Sequence, residues 1–292
     1  MERAAGILEI QIPKIPVGRT AEAGFDWLQS NGAAAFDAVS DGADALIASV
    51  LTVLQAPHPI VIIALIAALA YGLQRRWQAP ALAAAGFLFI LNQGYWEETT
   101  ESLTLVLSAC VVCMGIGVPI GIAAAHRPRL YRVMRPILDL MQTLPTFVYL
   151  IPAIVFFGIG MVPGLIATVI FVLPAPIRLT QLGIASTPVP LLEAAQAFGA
   201  TRRQTLWKVE LPHAMPEITA GLNQTIMLSL SMVVIAALVG ADGLGVPVVR
   251  ALNRVDTALG FESGMVIVVL AIVLDRTLKA RRRPPPQPRR SR

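Results

Sequence analysis

Apolar residues in this 292-residue chain come in blocks separated by short polar segments. Seven blocks approach the about 20 residues that a helix needs to cross a bilayer, at about 59–74, 80–94, 102–125, 137–157, 160–180, 214–240 and 262–276. The first two and the last are short for a crossing. A further block at 45–56 is cut off by Pro57-His58-Pro59. Ahead of that cut, Phe25, Trp27, Leu28, Phe36, Val39, Leu46, Ile47, Val50 and Leu54 recur at roughly helical spacing, with Asp26, Asp37, Asp41 and Asp44 between them. That spacing predicts an amphipathic helix on the membrane surface, or a pair of helices broken at Asn31-Gly32. An eighth span reaching back to about residue 39 is the poorer reading, because it would bury Asp41 and Asp44. The expected fold class is all-α, a polytopic membrane protein with about seven transmembrane helices.

One polar island between two apolar blocks has a helix, stop, helix pattern. Leu191 to Phe198 reads as a helix of small and apolar residues that starts after Pro188 and Pro190. Gly199 suits a left-handed stop. Thr201-Arg202-Arg203-Gln204 has capping-box spacing and opens a second helix. Ala194, Ala195 and Ala200 are small enough for a partner's backbone or aromatic side chains to come close, and Pro212 is expected to close the unit.

Composition agrees with a lipid solvent: 55% of residues are hydrophobic and 14% charged, with a mean hydropathy of +0.68, against about 25% charged residues in an average soluble domain. Charge placement orients the blocks, because Lys and Arg collect in short cytoplasmic segments. With the N-terminus outside, Arg75 and Arg76, then Arg127, Arg129, Arg132 and Arg135, then Arg178, Arg202, Arg203 and Lys208, and finally eight residues from Arg276 to Arg292 lie inside. They are eighteen of the 23 basic residues. Arg3, Lys14, Arg19, Arg250 and Arg254 fall outside, near acidic groups such as Glu97, Glu98 and Glu101. The net charge of +5 therefore reports orientation, and no nucleic-acid partner is expected. The first 20 residues lack a basic start followed by an apolar core, so no leader is expected to be removed. Arg281 to Arg290 is too proline-rich and basic to fold and reads as a disordered cytoplasmic tail.

Catalytic motifs are missing. No Gly-x-x-x-x-Gly-Lys-Ser/Thr phosphate loop occurs, so the chain is not expected to hydrolyse ATP. Cys110 and Cys113 have the spacing of a redox pair but lie inside an apolar block, where cysteine is an ordinary buried residue. His58, His126 and His213 are far apart at block ends, and no metal site follows. Polar residues inside a bilayer are costly and become site candidates. Asn223, Met227 and Ser231 share a helical face, and Phe147 and Tyr149 follow Asp139 to Thr146 in another block. These five are candidates for lining a translocation path, while interhelical hydrogen bonding is the alternative role. Asp139, four residues after Arg135, is expected to pair with it.

The polar island resembles the Glu-Ala-Ala loop of binding-protein-dependent ABC importer permeases. Glu193, Ala194, Ala195, Gly199, Val209, Leu211 and Pro212 fill the pattern in register. The resemblance implies a type I (MetI-like) permease core over 57–279, with a periplasmic segment at 1–56 and a tail at 280–292. It also implies a coupling loop at 190–213, in which Glu193, Ala194, Ala195, Gly199, Ala200, Leu211 and Pro212 seat in a separate ATPase subunit that binds the ATP. Met141 to Pro152, Asn223 to Thr225, Leu230 to Ile235 and Ala271 to Arg276 look like permeases for glycine betaine, proline betaine and choline. Val239 to Asn253 and Ala123 to Pro128 look closest to the choline branch. The implied function is import of a quaternary ammonium compound, choline first, with glycine betaine, proline betaine or carnitine as the alternative. A channel or membrane enzyme would need a selectivity ring or catalytic cluster, and neither is visible. The resemblance further implies a homodimer of permease subunits, a separate periplasmic binding protein and a bacterial inner membrane.

The charge split makes a direct prediction. A reporter fused after Arg282 will be active only as a cytoplasmic fusion, and one inserted within Asn92–Glu101 only as an external one. Reversed activities would overturn the seven-block orientation.

Overall fold

The computed structural model describes residues 17–278, and among them every regular element is helical. The expectations for the first 16 residues and for the basic tail lie outside the described residues. The helices are α1 (Val17–Gln55), α2 (Pro59–Gln74), α3 (Gln78–Asn92), α4 (Trp96–His126), α5 (Pro128–Thr143), α6 (Phe147–Phe157), α7 (Met161–Val172) and α8 (Pro174–Ala185). They continue with α9 (Val189–Ala197), α10 (Arg202–Thr205), a π-helical turn (Leu206–Glu210), α11 (Leu211–Ala236), a 3-10 turn (Ala237–Val239), α12 (Gly245–Arg254) and α13 (Thr257–Leu278).

Four stretches are long and apolar enough to cross a membrane: Trp96–His126, Met161–Ala185, Arg202–Val239 and Thr257–Thr277. Two further candidates are bent pairs, and α3 is a shorter apolar helix. The block at 137–157, expected as one span, is therefore corrected. α5 and α6 meet at 97°, because Pro145 drives the preceding Leu144 out of helical geometry, to ψ 138°.

At the centre, α8 is wedged between α4 and α11. The wedge depends on missing side chains. A Cβ on Gly121 would stand 2.6 Å from Thr180 Cβ and 2.8 Å from the Ile177 carbonyl oxygen. On the other side of α8, a Cβ on Gly183 would stand 2.9 Å from Ala214 Cβ. In lipid, where the hydrophobic effect does not drive helices together, such close backbone approach supplies the van der Waals contact that does. Phe87, Leu105, Leu165, Val233 and Leu270 extend this centre into one apolar core joining α3, α4, α7, α11 and α13. Gln74 Nε2 donates to the Arg276 carbonyl and ties α2 to α13.

The N-terminal segment is one continuous helix, not a pair. Phe36 folds back over Gly32 and fills the space of its absent side chain, while Asn31 Nδ2 donates within the helix to the Trp27 carbonyl at 2.8 Å. α1 meets α2 at 100° and is fastened across one end of the bundle. Phe36 stacks on Phe156 with centroids 4.4 Å apart, and Gln55 Nε2 donates to Thr100 Oγ1 at 2.9 Å. Asp41 and Asp44 are exposed.

Replacing Gly121 by valine will overpack the α4–α8 contact and lower stability by about 1–3 kcal/mol or more. Gly115→Val, on the same helix but facing open space, will cost far less. Thermal unfolding of the two variants in detergent measures the difference.

Candidate functional site

The Glu193–Pro212 island forms a protruding elbow at the end of the bundle opposite α1. α9 ends as its sequence predicts. Gly199 adopts φ 71°, its N–H donates to the Gln196 carbonyl at 2.9 Å, and the Ala200 N–H donates to the Ala195 carbonyl at 3.0 Å. These two bonds make a Schellman stop. No atom lies near the Cβ position of Gly199, so glycine is required there by the left-handed backbone alone. Thr201 then caps α10 reciprocally: the Gln204 N–H donates to Thr201 Oγ1 at 3.3 Å, and the Thr201 N–H donates to Gln204 Oε1 at 2.8 Å.

Pro212 does not close the unit, which corrects the expectation. α10, the π turn and α11 run on as a single rod, Arg202–Val239. A proline ring clashes with the carbonyl four residues back and offers no N–H. The π turn ahead of it carries the chain past that position, with the Leu211 N–H donating to the Leu206 carbonyl.

The elbow presents its side chains outward. Glu193 and Ala194 are exposed, while Ala195 and Ala200 are half-buried. Phe198 is 92% and Trp207 63% exposed, a large apolar area for a surface element. Trp207 stands between two hollows. One, of about 470 Å³, is lined beside it by Thr201, Arg203, Gln204 and Lys208. The other, of about 500 Å³, is apolar and lined by Val118, Pro119, Ile122, Leu211, Pro212 and Met215 among others. Such a surface can seat a partner's aromatic or aliphatic anchors beside its acidic groups.

The elbow is bolted to the bundle by a contact that sequence reading missed. Glu210, 8% exposed, places a carboxylate oxygen 2.9 Å from His126 Nε2 at the end of α4. The two residues are 84 positions apart, and His126 alone looks like an interfacial imidazole. The signal available was a glutamate inside an otherwise apolar Val-Glu-Leu-Pro run.

The five path candidates are placed unevenly. Asn223 and Met227 are half-buried and Ser231 is exposed, its hydroxyl donating to the Met227 carbonyl at 3.2 Å. Met227 packs against the main core. Phe147 is exposed, whereas Tyr149 is buried and its hydroxyl donates to the Met141 carbonyl at 2.6 Å. Tyr149 therefore braces the α5–α6 bend by satisfying a carbonyl at the end of α5. Asp139 pairs with Arg178 of α8 at 2.8 Å and not with Arg135, because the bend swings α5 against α8. Cys110 and Cys113 are buried free thiols, and no group of metal-ligating side chains occurs among the described residues.

A rod that crosses the membrane and carries at its end a glycine elbow with the Glu-Ala-Ala to Leu-Pro spacing is decisive when set beside known proteins. Residues 117–278 match the family described as "Binding-protein-dependent transport system inner membrane component". The chain belongs to this family. It is 46% identical over 91% of its length to the glycine betaine transport system permease protein OpuAB of Bacillus subtilis (strain 168), covering 94% of that protein. It is 44% identical over 91% of its length to the glycine betaine/proline betaine transport system permease protein ProW of Escherichia coli (strain K12), covering 75% of it. With the glycine betaine/carnitine transport permease protein GbuB of Listeria monocytogenes it shares 49% identity over 70% of this chain and 73% of the other. Among solved structures, an inward-facing MetNI methionine ABC transporter aligns with a TM-score of 0.56 at 23% identity, over 61% of this chain and 89% of that one. That likeness establishes the MetI-like fold. The protein is thus a multi-pass inner-membrane permease component of a transporter and not an enzyme.

Glu210→Ala will leave His126 without its acceptor and cost about 1.5–3 kcal/mol, the range for a hydrogen bond to a charged group. Thermal unfolding in detergent will show it, with Glu193→Ala on the exposed face of α9 as the near-neutral comparison.

Proposed function

We propose that the chain is the permease subunit of an ATP-driven importer of glycine betaine and proline betaine, working with an ATPase subunit and a substrate-binding protein. The likeness to OpuAB across 91% of the chain at 46% identity carries this reading. The names of the three relatives above carry glycine betaine, proline betaine and carnitine, so the betaine alternative fits better than the choline branch suggested by Val239 to Asn253. Part of that segment serves packing, since the Leu244 N–H donates to Ser102 Oγ at 2.8 Å.

In this reading the elbow is the coupling element. Two permease subunits pair with two ATPases, and Glu193, Ala194, Ala195, Gly199 and Ala200 sit in an ATPase groove, with Leu211 and Pro212 at the root of the rod. The elbow faces the cytoplasm, and α1 lies on the periplasmic face where the loaded binding protein docks. Closure of the ATPase dimer pulls the elbow, and because the rod is continuous from Arg202 to Val239, the pull reaches the membrane interior directly. Asn223, Met227 and Ser231 on that rod, with Phe147 on α6, supply aromatic faces and weak dipoles suited to a trimethylammonium group, which attracts π faces but cannot donate a hydrogen bond. Tyr149 holds Phe147's helix in place. Loose binding here and tight capture in the binding protein allow release inside.

The test is uptake by the permease reconstituted with its ATPase and binding protein. Glycine betaine will be imported in preference to choline; the opposite preference would overturn the substrate. Gly199→Val will lower uptake about tenfold or more, since a left-handed residue other than glycine costs about 1–2 kcal/mol and valine is a poor choice. Gly199→Asn, which tolerates that backbone, will retain most of it. Uptake indifferent to both changes would reduce the elbow to a linker.

A further inference from the structure

The bend that breaks the 137–157 block leaves α5 with an unassigned surface. α6 continues toward the far end of the bundle, and α5 lies across it at 97°, beginning directly after His126 at the docking end. Around α5, at about 100° per residue, Arg135, Arg132 and Arg129 share one arc of about 120°. Leu140, Val133 and Ile137 fill the next about 60°. Leu138, about 100° further round, is buried against the protein. All three arginines are exposed, and so are the three apolar residues, Val133 at 66%.

The arginines have no acidic partner among the described residues, where the ion pairs within 4.0 Å are His126–Glu210 and Arg178–Asp139. Asp139 sits within their arc but is committed to Arg178. A helix with protein on one side, a bare apolar stripe on the second and a bare cationic stripe on the third matches a membrane boundary. There, apolar side chains enter the acyl region and guanidinium groups meet phosphates. A soluble partner would not need the apolar stripe beside spanning helices, and a second copy of this chain would bring a second set of like charges to the same face.

We infer that α5 is an interfacial helix that binds anionic phospholipid headgroups through Arg129, Arg132 and Arg135 while Val133, Ile137 and Leu140 anchor it in the acyl layer. Arginine suits this role because its planar fork grips phosphate oxygens in pairs. Held at the surface in this way, α5 fixes the near end of the helix that follows the bend. The inference needs only that the chain is embedded in a bilayer and does not depend on the transported solute.

The experiment uses the full chain in nanodiscs of phosphatidylcholine alone or mixed equally with phosphatidylglycerol, after Cys110→Ala and Cys113→Ala. Spin labels on Val133→Cys and Ile137→Cys will be relaxed by lipid-soluble oxygen and shielded from a water-soluble nickel chelate. Native mass spectrometry will show phosphatidylglycerol retained over phosphatidylcholine. Each Arg→Gln change at 129, 132 and 135 will lower that retention about fivefold, from about 1 kcal/mol per basic residue at an anionic surface. The triple Arg→Lys variant will keep most of it. Labels open to the nickel chelate would overturn the inference by showing a water-facing surface. Dipolar coupling between labels on two chains would overturn it in favour of a second copy. Retention unchanged in the folded triple Gln variant, as judged by an unaltered unfolding temperature, would remove the lipid role of the arginines.

Discussion

Everything in this bundle rests on how closely α8 approaches α4 on one side and α11 on the other. Gly121 and Gly183 leave no volume for even a methyl group at these crossings. Because apolar surface is no scarcer in lipid than in the protein, fit takes over the organising role that water-driven burial has in a soluble core. The three helices form one closely packed unit, and all three are joined to the elbow, α8 leading straight into α9. α11 is continuous with it, and α4 is fastened to it by His126 and Glu210. The elbow is therefore tied on every side to the helices that cross most closely.

Local chemistry was legible in the sequence wherever one or two residues dictate a backbone state. Gly199 and the Thr201–Gln204 box form the stop and the start that their types and spacing demand. The apolar blocks appear as helices, and the aspartates of α1 are exposed. Proline was harder to read. Pro145 breaks an apolar run that composition alone would carry straight through, whereas Pro212, read as an end, is absorbed by a widened turn. Whether a proline bends or merely perturbs a helix depends on its neighbours' room to adjust, which a one-dimensional pattern does not contain.

Long-range pairings were not legible, for a related reason. Asp139 has a cationic residue four positions away and another 39 positions away. Only the bend reveals that the distant one is closer in space. Tyr149 reads as an aromatic face, yet its hydroxyl is occupied with a carbonyl of α5. Sequence distinguishes the class of transporter because the Glu-Ala-Ala to Leu-Pro motif is written within one short segment. It is less informative about the solute, since the segment that looked most specific, Val239 to Asn253, also packs against α4.

The π turn at Leu206–Glu210 sets a phase. One additional residue in a helical turn rotates everything beyond it by about 100° relative to a regular continuation. The outward direction of Trp207 and Lys208 and the inward direction of Ala214 and Ile218 are thus indexed to one another by a single inserted residue. The two halves of the rod answer to different surroundings, the exposed elbow at one end and packed helices at the other. Their relative angle behaves as a dial set by residue count, which side-chain identity can hold but cannot by itself turn.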